Sequence, residues 1–403
     1  MLSQTIDVEA VRRRFSSLAG GFAFLDAPGG SQVPDEVGDA IALALREASA
    51  NLGAVYATSL RVKEILEQAE QNASAFLGCD RHEVVFGPNM TSLNFTLSRT
   101  AGREFAPGDE ILVSSLDHDG GVAPWLELAH DRELVVRHIE LRDDTSLDFD
   151  DLASKLSERT RVVAFAWASN AVGTITDAQR VCSMAHSVGA LAWVDAVHYA
   201  PHFPIDVAAM DADFLLCSGY KFYGPHVGVL YSKPGALDRL PTDRLSVQDP
   251  AAPYRIETGT LNHAAIDGMR AAVDYLASWG TGGTLRERIV DAMHGISAYE
   301  HHLARSYHDE VRRLPGVRVW GPDFTSRARA PTVSITLEGH TAGAAATALG
   351  ARGVCVWDGN FYAARAVDVL GLAERGGLLR TGVSMYTTQR DISRLLEGLA
   401  TLA

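Results

Sequence analysis

The sequence predicts an α/β protein, with a mainly parallel sheet in a large domain and a smaller α+β domain after it. Strand-like apolar runs alternate with helical patterns from about residue 82 to residue 231, which is typical of a parallel sheet with helical crossovers. The run VVAFAWA at 162–168 is continuously apolar, as in a strand buried on both faces. After Asn262, long helical patterns give way to short strands. A chain of 403 residues suits two such domains.

The domain boundaries follow from a change of pattern near a Gly-rich break at 280–283. We expect the large domain at 21–281 and the small domain at 282–403. Residues 1–20 are expected to pack with the small domain. The sequence contains no internal repeat and no low-complexity segment.

The elements of the large domain are predicted from apolar spacing and turn residues, in chain order. The expected helices are 7–18, 36–50, 60–77, one that begins near Asn89, one that begins after Pro124 at Trp125, 148–158, 178–188 and 264–279. The expected strands are 83–86, 111–115, 135–141, 160–168, 191–195 and 212–218. For the small domain we expect helices at 285–314, 341–350 and 390–402, and strands at 317–321, 330–337, 354–359 and 378–388.

The composition excludes several classes of protein. Lys and Arg number 36 against 50 Asp and Glu, a net charge of −14, which argues against a nucleic-acid partner or an anionic membrane surface. No apolar run has the length of a membrane span, and the first residues do not resemble a signal peptide, so we expect a cytoplasmic protein. The four cysteines form no CxxC pair, which argues against a metal site or disulfides.

Polar residues follow the carboxyl ends of several predicted strands, where ligands bind in parallel α/β sheets. They are Asn89–Thr91, His118, Asp119, Asn170, Asp195 and Lys221. The helix that begins near Asn89 would present free backbone N–H groups, which suit a phosphate. An ordinary helix cap by Asn89 or Thr91 is the alternative. The GxGxxG and GxxxxGK[ST] signatures are both absent.

Asp195 and Lys221 end two neighbouring predicted strands, 26 residues apart. This pair is typical of an enzyme that holds pyridoxal phosphate (PLP), with the lysine as its Schiff-base partner and the carboxylate against the pyridinium nitrogen. A nicotinamide-dependent dehydrogenase is a second hypothesis. It lacks the glycine fingerprint and leaves Lys221 without a role.

With these residues placed, the chain resembles the class V aminotransferase family of fold type I PLP enzymes, and within it the cysteine desulfurase-like branch. The likeness runs in order through FLDAPGG, ANLGAVYATS, SNAVGT, VDAVHYAPHFPIDV, SGYKFYGPHVGVLY, ETGTLNH and RTGVSMYTT. It implies a small amino acid or related amine as substrate, and a homodimer whose subunits share the active site.

The resemblance also implies roles for individual residues. Lys221 and Asp195 match the Schiff-base lysine and the partner of the ring nitrogen. Asn170 and His198 match contacts to the phenolic oxygen of the cofactor, although the desulfurases usually have Gln in place of His198. The residues implied at the phosphate are Asn89, Met90, Thr91, Ser218 and Tyr220, with Thr260 reaching it from the neighbouring subunit.

The catalytic and substrate-binding residues depart from the desulfurase pattern. Alignment on Pro124-Trp125 places Asp119 at the histidine that stacks on the cofactor ring, whereas a shift of one residue places His118 there. Arg380 resembles the clamp for the substrate carboxylate. Asn360 and Tyr362 are expected to bind the substrate, and Tyr362 falls where desulfurases carry their catalytic cysteine.

The favoured prediction is a PLP enzyme that acts at Cα and Cβ of a small amino acid or related amine, with desulfurase-like lyase chemistry. No cysteine lies in Asp358–Arg365, and Cys355 precedes that loop in a predicted strand. The missing thiol argues against the usual persulfide mechanism, which needs an accessible thiolate. An aminotransferase, an amino-acid epimerase and a non-catalytic PLP-binding relative are the alternatives.

Overall fold

A computed structural model describes residues 6–325 and 328–403. Its strands are β1 Ala23–Phe24, β2 Val84–Gly87, β3 Glu110–Ser114, β4 Val135–Ile139, β5 Thr160–Ala166, β6 Leu191–Asp195, β7 Phe214–Ser218, β8 Gly228–Ser232, β9 Val317–Trp320, β10 Thr332–Leu337, β11 Val354–Cys355, β12 Trp357–Gly359 and β13 Leu378–Gly382. Its α-helices are α1 Val8–Arg12, α2 Asp35–Glu47, α3 Ala57–Leu77, α4 Met90–Gly102, α5 Asp119–Arg132, α6 Phe149–Lys155, α7 Ala178–His186, α8 Val207–Met210, α9 His263–Ala277, α10 Leu285–Val311, α11 Ala342–Gly350, α12 Ala364–Val369 and α13 Gln389–Ala400.

The large sheet has seven strands in the order β2-β8-β7-β6-β5-β3-β4. The five strands from β7 to β4 are parallel, while β8 runs antiparallel to both of its neighbours, β7 and β2. All strands except β8 therefore end at the same edge of the sheet. The mainly parallel α/β fold predicted from the sequence is confirmed.

The C-terminal part of the chain forms an antiparallel sheet of four strands in the order β12-β13-β10-β9. A second small sheet pairs β1 with β11 in parallel, so the first strand of the chain lies against a late one. The first helix also contacts this part, since a guanidinium N–H of Arg12 donates to the carbonyl oxygen of Tyr386 at 2.7 Å. The domain boundaries given above remain predictions.

The core lies on both faces of the large sheet because its central strands are apolar along most of their length. Along β5, Val163 and Phe165 belong to one buried cluster, and Val162 and Ala164 belong to another on the opposite face. A third cluster joins α10 and α13 to the four-stranded sheet. None of the helices formed by 6–325 and 328–403 is both long enough and apolar enough to span a membrane.

Helix α5 begins at Asp119, so the predicted start at Trp125 is wrong. Pro124 lies inside the helix and has no N–H to donate to the carbonyl oxygen of Gly120, four residues earlier. The side-chain amide of Asn94 donates to that oxygen instead, at 2.8 Å. The other end of the same amide accepts from the indole N–H of Trp193 at 2.9 Å. A buried side chain thus replaces the missing backbone bond, and the helix continues through the proline.

Two smaller predictions also differ from the structure. The helix expected over 7–18 divides into α1 and a 3-10 helix at Ser16–Gly20. The strand expected at 354–359 divides into β11 and β12, which join different sheets. In the second case a continuous apolar run did not reveal a change of partner, because strand pairing depends on distant residues.

Candidate active site

The shared edge of the large sheet borders a cavity of about 310 Å³. Its lining residues are Asn89, Met90, Thr91, His118, Ala166, Ala168, Asn170, Asp195, Val197, His198, Ser218, Tyr220, Lys221 and His226. The topology explains this grouping, because every strand except β8 ends at this edge and β8 begins there. His226 belongs to the cavity although its sequence position did not distinguish it from an ordinary loop residue.

Asp195 is the last residue of β6 and is buried. One carboxylate oxygen accepts from the backbone N–H of Val197 at 2.8 Å. Burial raises the pKa of Asp195 to about 6, while the Val197 hydrogen bond and the charge of Lys221 act in the opposite direction. A positively charged group at this carboxyl would stabilise its ionised form.

A second buried carboxyl, Asp117, lies close to Asp195. It accepts from the backbone N–H groups of Ala166 at 2.6 Å and Ser114 at 2.9 Å, so it joins the ends of β5 and β3. Burial is the main cause that raises its pKa to about 8, and the charge of Asp195 adds to the effect. The sequence analysis did not predict Asp117, although it directly precedes His118.

Lys221 lies in the 3-10 turn Gly219–Lys221 that follows β7. Its amine donates to the carbonyl oxygen of Pro28 at 2.6 Å. Burial lowers the pKa of Lys221 to about 7, and the charge of Arg380 adds to this effect while Asp195 opposes it. The lysine is therefore close to half neutral at neutral pH, a state in which its nitrogen can act as a nucleophile or base.

The start of α4 also borders the cavity. Asn89 caps the helix, with its side-chain oxygen accepting from the backbone N–H of Ser92 at 2.8 Å. The backbone N–H of Met90 donates to the hydroxyl of Ser218 at 3.1 Å. Helix α5 approaches closely here, since a Cβ at Gly120 would lie 2.7 Å from the hydroxyl oxygen of Thr91. This helix start has the partial positive charge that suits a phosphate.

The structure brings His118 to the cavity and not Asp119. His118 is the N-cap of α5, and its Nδ1 accepts from the backbone N–H of Gly120 at 2.9 Å. Asp119 is the first residue of that helix and is turned away from His118 by the helical rotation. Burial, with the charges of Lys221 and Arg380, lowers the pKa of His118 to about 4. The imidazole is therefore neutral at neutral pH.

A tight loop that we name the tyrosine loop, residues 359–363, lies beside His118. Phe361 and Tyr362 both have positive φ, at 56° and 59°, a conformation that is uncommon for residues other than glycine. The backbone carbonyl of Phe361 accepts from the side-chain amide of Asn170 at 2.9 Å, and that of Tyr362 accepts from the backbone N–H of Asp119 at 2.6 Å. Two hydrogen bonds from the large sheet's edge therefore hold the loop.

The side chain of Tyr362 is 71% exposed, and its ring centroid lies 5.4 Å from that of His118. Asn360 accepts from the backbone N–H of Tyr362 at 3.1 Å and is itself exposed. Neither residue lines the cavity. Tyr362 lies next to the cavity, with its ring beside that of His118.

Arg380, on β13, is 2% exposed. Its Nη1 donates to the carbonyl oxygen of Asn170 at 2.9 Å, and its guanidinium carbon lies 4.1 Å from the ring centroid of Phe361. Its Nε is buried and has no hydrogen-bond partner in the part of the chain that the structure describes. Burial lowers the pKa of Arg380 to about 9. This N–H is fully enclosed, and Arg380 does not line the cavity, so the carboxylate-binding role that the resemblance implies for Arg380 stays a prediction.

Residues 23–395 match the family model described as Aminotransferase class-V. The chain belongs to the class-V aminotransferase family. Its relatives include a cysteine desulfurase from Dickeya dadantii, 30% identical over 94% of this chain and 91% of that protein. The aminotransferase-like protein FGM3 from Gibberella zeae is 30% identical over 99% of both chains.

Two solved structures share the fold over nearly the whole chain. The apo cysteine desulfurase from Thermococcus onnurineus NA1 has a TM-score of 0.89 at 26% identity and covers 100% of this chain and 99% of its own. The cysteine desulfurase CsdA from Escherichia coli has a TM-score of 0.87 at 25% identity and covers 99% of each chain. The class-V protein is thus a fold type I, PLP-dependent enzyme, as the resemblance implied.

The cavity residues fit PLP. A buried carboxyl and a lysine of lowered pKa border one cavity, and a helix N-terminus and the Ser218 hydroxyl border the same cavity. Tyr220 stacks on His226, with ring centroids 4.7 Å apart and planes 11° apart. An anionic phosphate, an aromatic ring and an aldehyde each have a chemically suitable group at this site.

Thr260 does not line this cavity. It is exposed and borders a separate cavity of about 960 Å³, with Leu52, Leu245 and Val247 among its other lining residues. Val247 is 91% exposed and Leu245 is 58% exposed. The single chain therefore keeps Thr260 apart from the residues with which the resemblance groups it.

All four cysteines of the class-V protein lie in the described residues, and none lines the cavity. Cys217 is buried in β7, and Cys355 is half-buried in β11. Burial, with the charge of Asp26, raises the pKa of the Cys355 thiol. A thiolate is thus disfavoured at the cysteine that is nearest in sequence to the tyrosine loop.

Proposed function

We propose that this class-V protein is a lyase that removes a β-substituent, with sulfur as the leaving atom, from a small amino acid. No enzyme cysteine would carry the sulfur, which would leave as free sulfide or thiol. The proposal keeps the desulfurase-like chemistry of the relatives but not their persulfide step. It accounts together for the PLP cavity, the buried Arg380 and the absence of a cysteine from the tyrosine loop.

The residues of the chain divide the work of this reaction. Lys221 would attach the cofactor covalently, and its Nζ would take the proton from Cα once the substrate has displaced it. When bound, PLP accepts the electrons left on Cα. Asp195 would hold the proton on the ring nitrogen, and Arg380 would orient the substrate through its carboxylate.

The observation that carries the proposal is the tyrosine loop. By the resemblance, Tyr362 stands where desulfurases have their catalytic cysteine. Its hydroxyl can donate a hydrogen bond, but it cannot accept a sulfur atom from the substrate. His118 lies next to it and is neutral, and because its Nδ1 accepts from the backbone N–H of Gly120, its proton lies on Nε2 and can be donated. Together they could serve the leaving group at Cβ.

Transamination is the second candidate, because the relative FGM3 is named aminotransferase-like and transamination begins with the same removal of the Cα proton. In that reaction Lys221 would return the proton to the cofactor instead of allowing the β-substituent to leave. Epimerisation would return it to the opposite face of Cα. The three outcomes differ in product and can be measured separately.

The same proposal includes a homodimer in which Thr260 of each subunit completes the phosphate site of the other. The exposed apolar residues beside Thr260, among them Leu245 and Val247, support an interface there. Sedimentation should give twice the mass of the chain. Thr260→Ala should weaken PLP binding without changing that mass. A monomer that binds PLP tightly would contradict this part of the proposal.

The cytoplasmic location stays a prediction.

The test is a panel of small amino acids, including cysteine, given to the PLP-loaded enzyme. Pyruvate, sulfide, alanine, racemisation and amino transfer are each scored. We expect sulfide and pyruvate from cysteine in equal amounts, with ammonia, and the same rate in Cys355→Ser. Alanine formation with a persulfide on the enzyme would overturn the proposal. Amino transfer without sulfide would replace it with the second candidate, and no turnover of any amino acid would favour a non-catalytic relative.

A further inference from the structure

A buried set of polar residues leads from the cavity into the C-terminal part of the chain. His198 lines the cavity and is 4% exposed. Its Nε2 lies 2.9 Å from the hydroxyl of Thr332, the first residue of β10. Its ring and that of His202 pack edge to face, with centroids 5.4 Å apart and planes at 79°. Nδ1 of His202 in turn lies 2.7 Å from a carboxylate oxygen of Glu300 on α10. All four side chains are buried.

The imidazole of His198 is neutral. Burial lowers its pKa well below the usual value, and the neighbouring His202, Lys221 and Arg380 add to this effect. A neutral imidazole has one donor and one acceptor nitrogen, and the hydrogen bond at one nitrogen decides which nitrogen carries the proton. The partner of Nε2 therefore controls what Nδ1 can do.

That partner is the hydroxyl of Thr332, and the described residues offer it no hydrogen-bond partner other than His198. If Nε2 donated to it, the hydroxyl proton would be left buried without an acceptor, which is unfavourable. If the hydroxyl donates to Nε2, both groups are satisfied and the ring proton lies on Nδ1. Nδ1 of His198 makes no hydrogen bond within 6–325 and 328–403, and the atom is not fully enclosed.

We propose that Thr332 and the His202–Glu300 pair are positioning residues that present the Nδ1–H of His198 as a hydrogen-bond donor to the phenolic oxygen of PLP. Thr332 sets the tautomer, and His202, held by Glu300, packs against the His198 ring and fixes its orientation. A glutamine needs no such control, because its amide always has a donor. The inference depends on PLP in this cavity but not on the reaction proposed above.

The arrangement also ties the cavity to a different part of the molecule. His198 and His202 follow β6 of the large sheet, whereas Thr332 and Glu300 belong to β10 and α10. The donor strength at the cofactor therefore depends on how these two parts pack. Neither Thr332 nor Glu300 touches the cavity, so both act through His198.

The test compares Thr332→Val with Thr332→Ser in the PLP-loaded enzyme without substrate. The readouts are the pH midpoint of the visible absorption band of the Lys221-linked cofactor and the rate of PLP release. A donor to the phenolic oxygen favours the deprotonated form of that cofactor. Its loss in Thr332→Val should raise the midpoint by about one pH unit, the size of one hydrogen bond, and speed PLP release. Thr332→Ser should match the wild type, and Glu300→Gln should shift the midpoint upward by less.

Thr100→Val is the matched control, because Thr100 is also buried and its hydroxyl donates within α4 to the Thr96 carbonyl. Its midpoint should not move. Thr332→Ala replaces the valine variant if that protein folds poorly, which thermal unfolding of each apo protein would reveal. An unchanged midpoint in the variants without the hydroxyl would overturn the proposal. Equal shifts in Thr332→Val and Thr332→Ser would also overturn it, because the shift would then come from the changed volume of the side chain and not from the lost hydroxyl. Because no substrate is present, failure of the lyase assay would leave this result intact.

Discussion

The PLP cavity and the tyrosine loop contribute to one site but are built in opposite ways. Asp195 and Lys221 follow neighbouring strands of the buried sheet, and their pKa values are set mainly by burial. Tyr362 is 71% exposed, and its loop is held by backbone carbonyls that accept from Asn170 and Asp119. In the cavity the side chains are fixed by the core. In the loop the backbone is fixed, and the side chains of Asn360 and Tyr362 are exposed while Phe361 is buried.

This difference separates what a substitution can change. A cavity residue cannot be replaced without disturbing the packing and electrostatics of the sheet's edge. A substitution there therefore also disturbs the binding of the cofactor. A loop side chain can be replaced while both anchoring hydrogen bonds persist, because these bonds use backbone oxygens. The identity of the reaction can therefore vary on a constant cofactor site.

The largest effect is expected from the cavity. Lys221→Ala should lower turnover by about 10³-fold or more, because both the covalent attachment and the proton transfer are lost. Borohydride should no longer fix PLP to the chain, as measured by mass spectrometry. Lys233→Ala is the control, since Lys233 pairs with Asp211 on the surface. Borohydride labelling that persists in Lys221→Ala would remove the basis for assigning the cavity.

Arg380 joins the two regions, since it contacts both Asn170 and Phe361. Arg380→Lys keeps the charge but loses the guanidinium fork. We expect KM for the amino acid to rise by about 10- to 100-fold with little change in the cofactor spectrum. Arg365→Lys, at an exposed ion pair with Glu140, should have no effect. A change in kcat alone would show that Arg380 does not bind the substrate carboxylate.

The pH dependence of cofactor attachment tests the electrostatics of the cavity. Burial lowers the pKa of Lys221 to about 7 from an ordinary 10.5, and only the neutral amine attacks PLP. Attachment to the apo protein should therefore speed up about fivefold from pH 6 to pH 7 and level off above about pH 8. Stopped-flow absorbance measures this rate. A rate that keeps rising beyond pH 9 would mean that Lys221 has an ordinary pKa.

The smallest effect is expected from the loop. Tyr362→Phe removes one exposed hydroxyl and should lower sulfide release by about two- to fivefold. The absorption spectrum and the affinity for PLP should be unchanged, because the loop's anchors are backbone atoms. Equilibrium dialysis with PLP provides the second measurement. If PLP affinity fell together with activity, the separation between cavity and loop would be wrong.

The sequence predicted the sheet and most of the cavity for a common reason. Continuous apolar runs identify buried parallel strands, and polar residues at their ends meet at one edge. The placement of Asn170, Asp195 and Lys221 around one cavity follows from that rule, whereas His198 was implied only by the resemblance. The class-V family then suggests their roles, which the experiments above test.

Other features depended on contacts that no local pattern records. The choice between His118 and Asp119 depends on where α5 begins. The predicted start was wrong because the Asn94 amide replaces the backbone donor that Pro124 lacks, which lets the helix begin before the proline. Asp117, His226 and Phe361 acquire their importance only through distant neighbours. Thr260 illustrates a different limit, since its expected partner lies in another subunit.

The proline in α5 has a consequence for how the site could be redesigned. Asn94 links the carbonyl left open by Pro124 to the indole of Trp193, and these two elements carry His118 and Asp195. One amide therefore acts as a spacer between the elements that carry these two cavity residues. An alanine at position 124 would bring a rival donor to the same carbonyl. Positions 94, 124 and 193 should therefore be changed together, because the three residues share one hydrogen-bond arrangement.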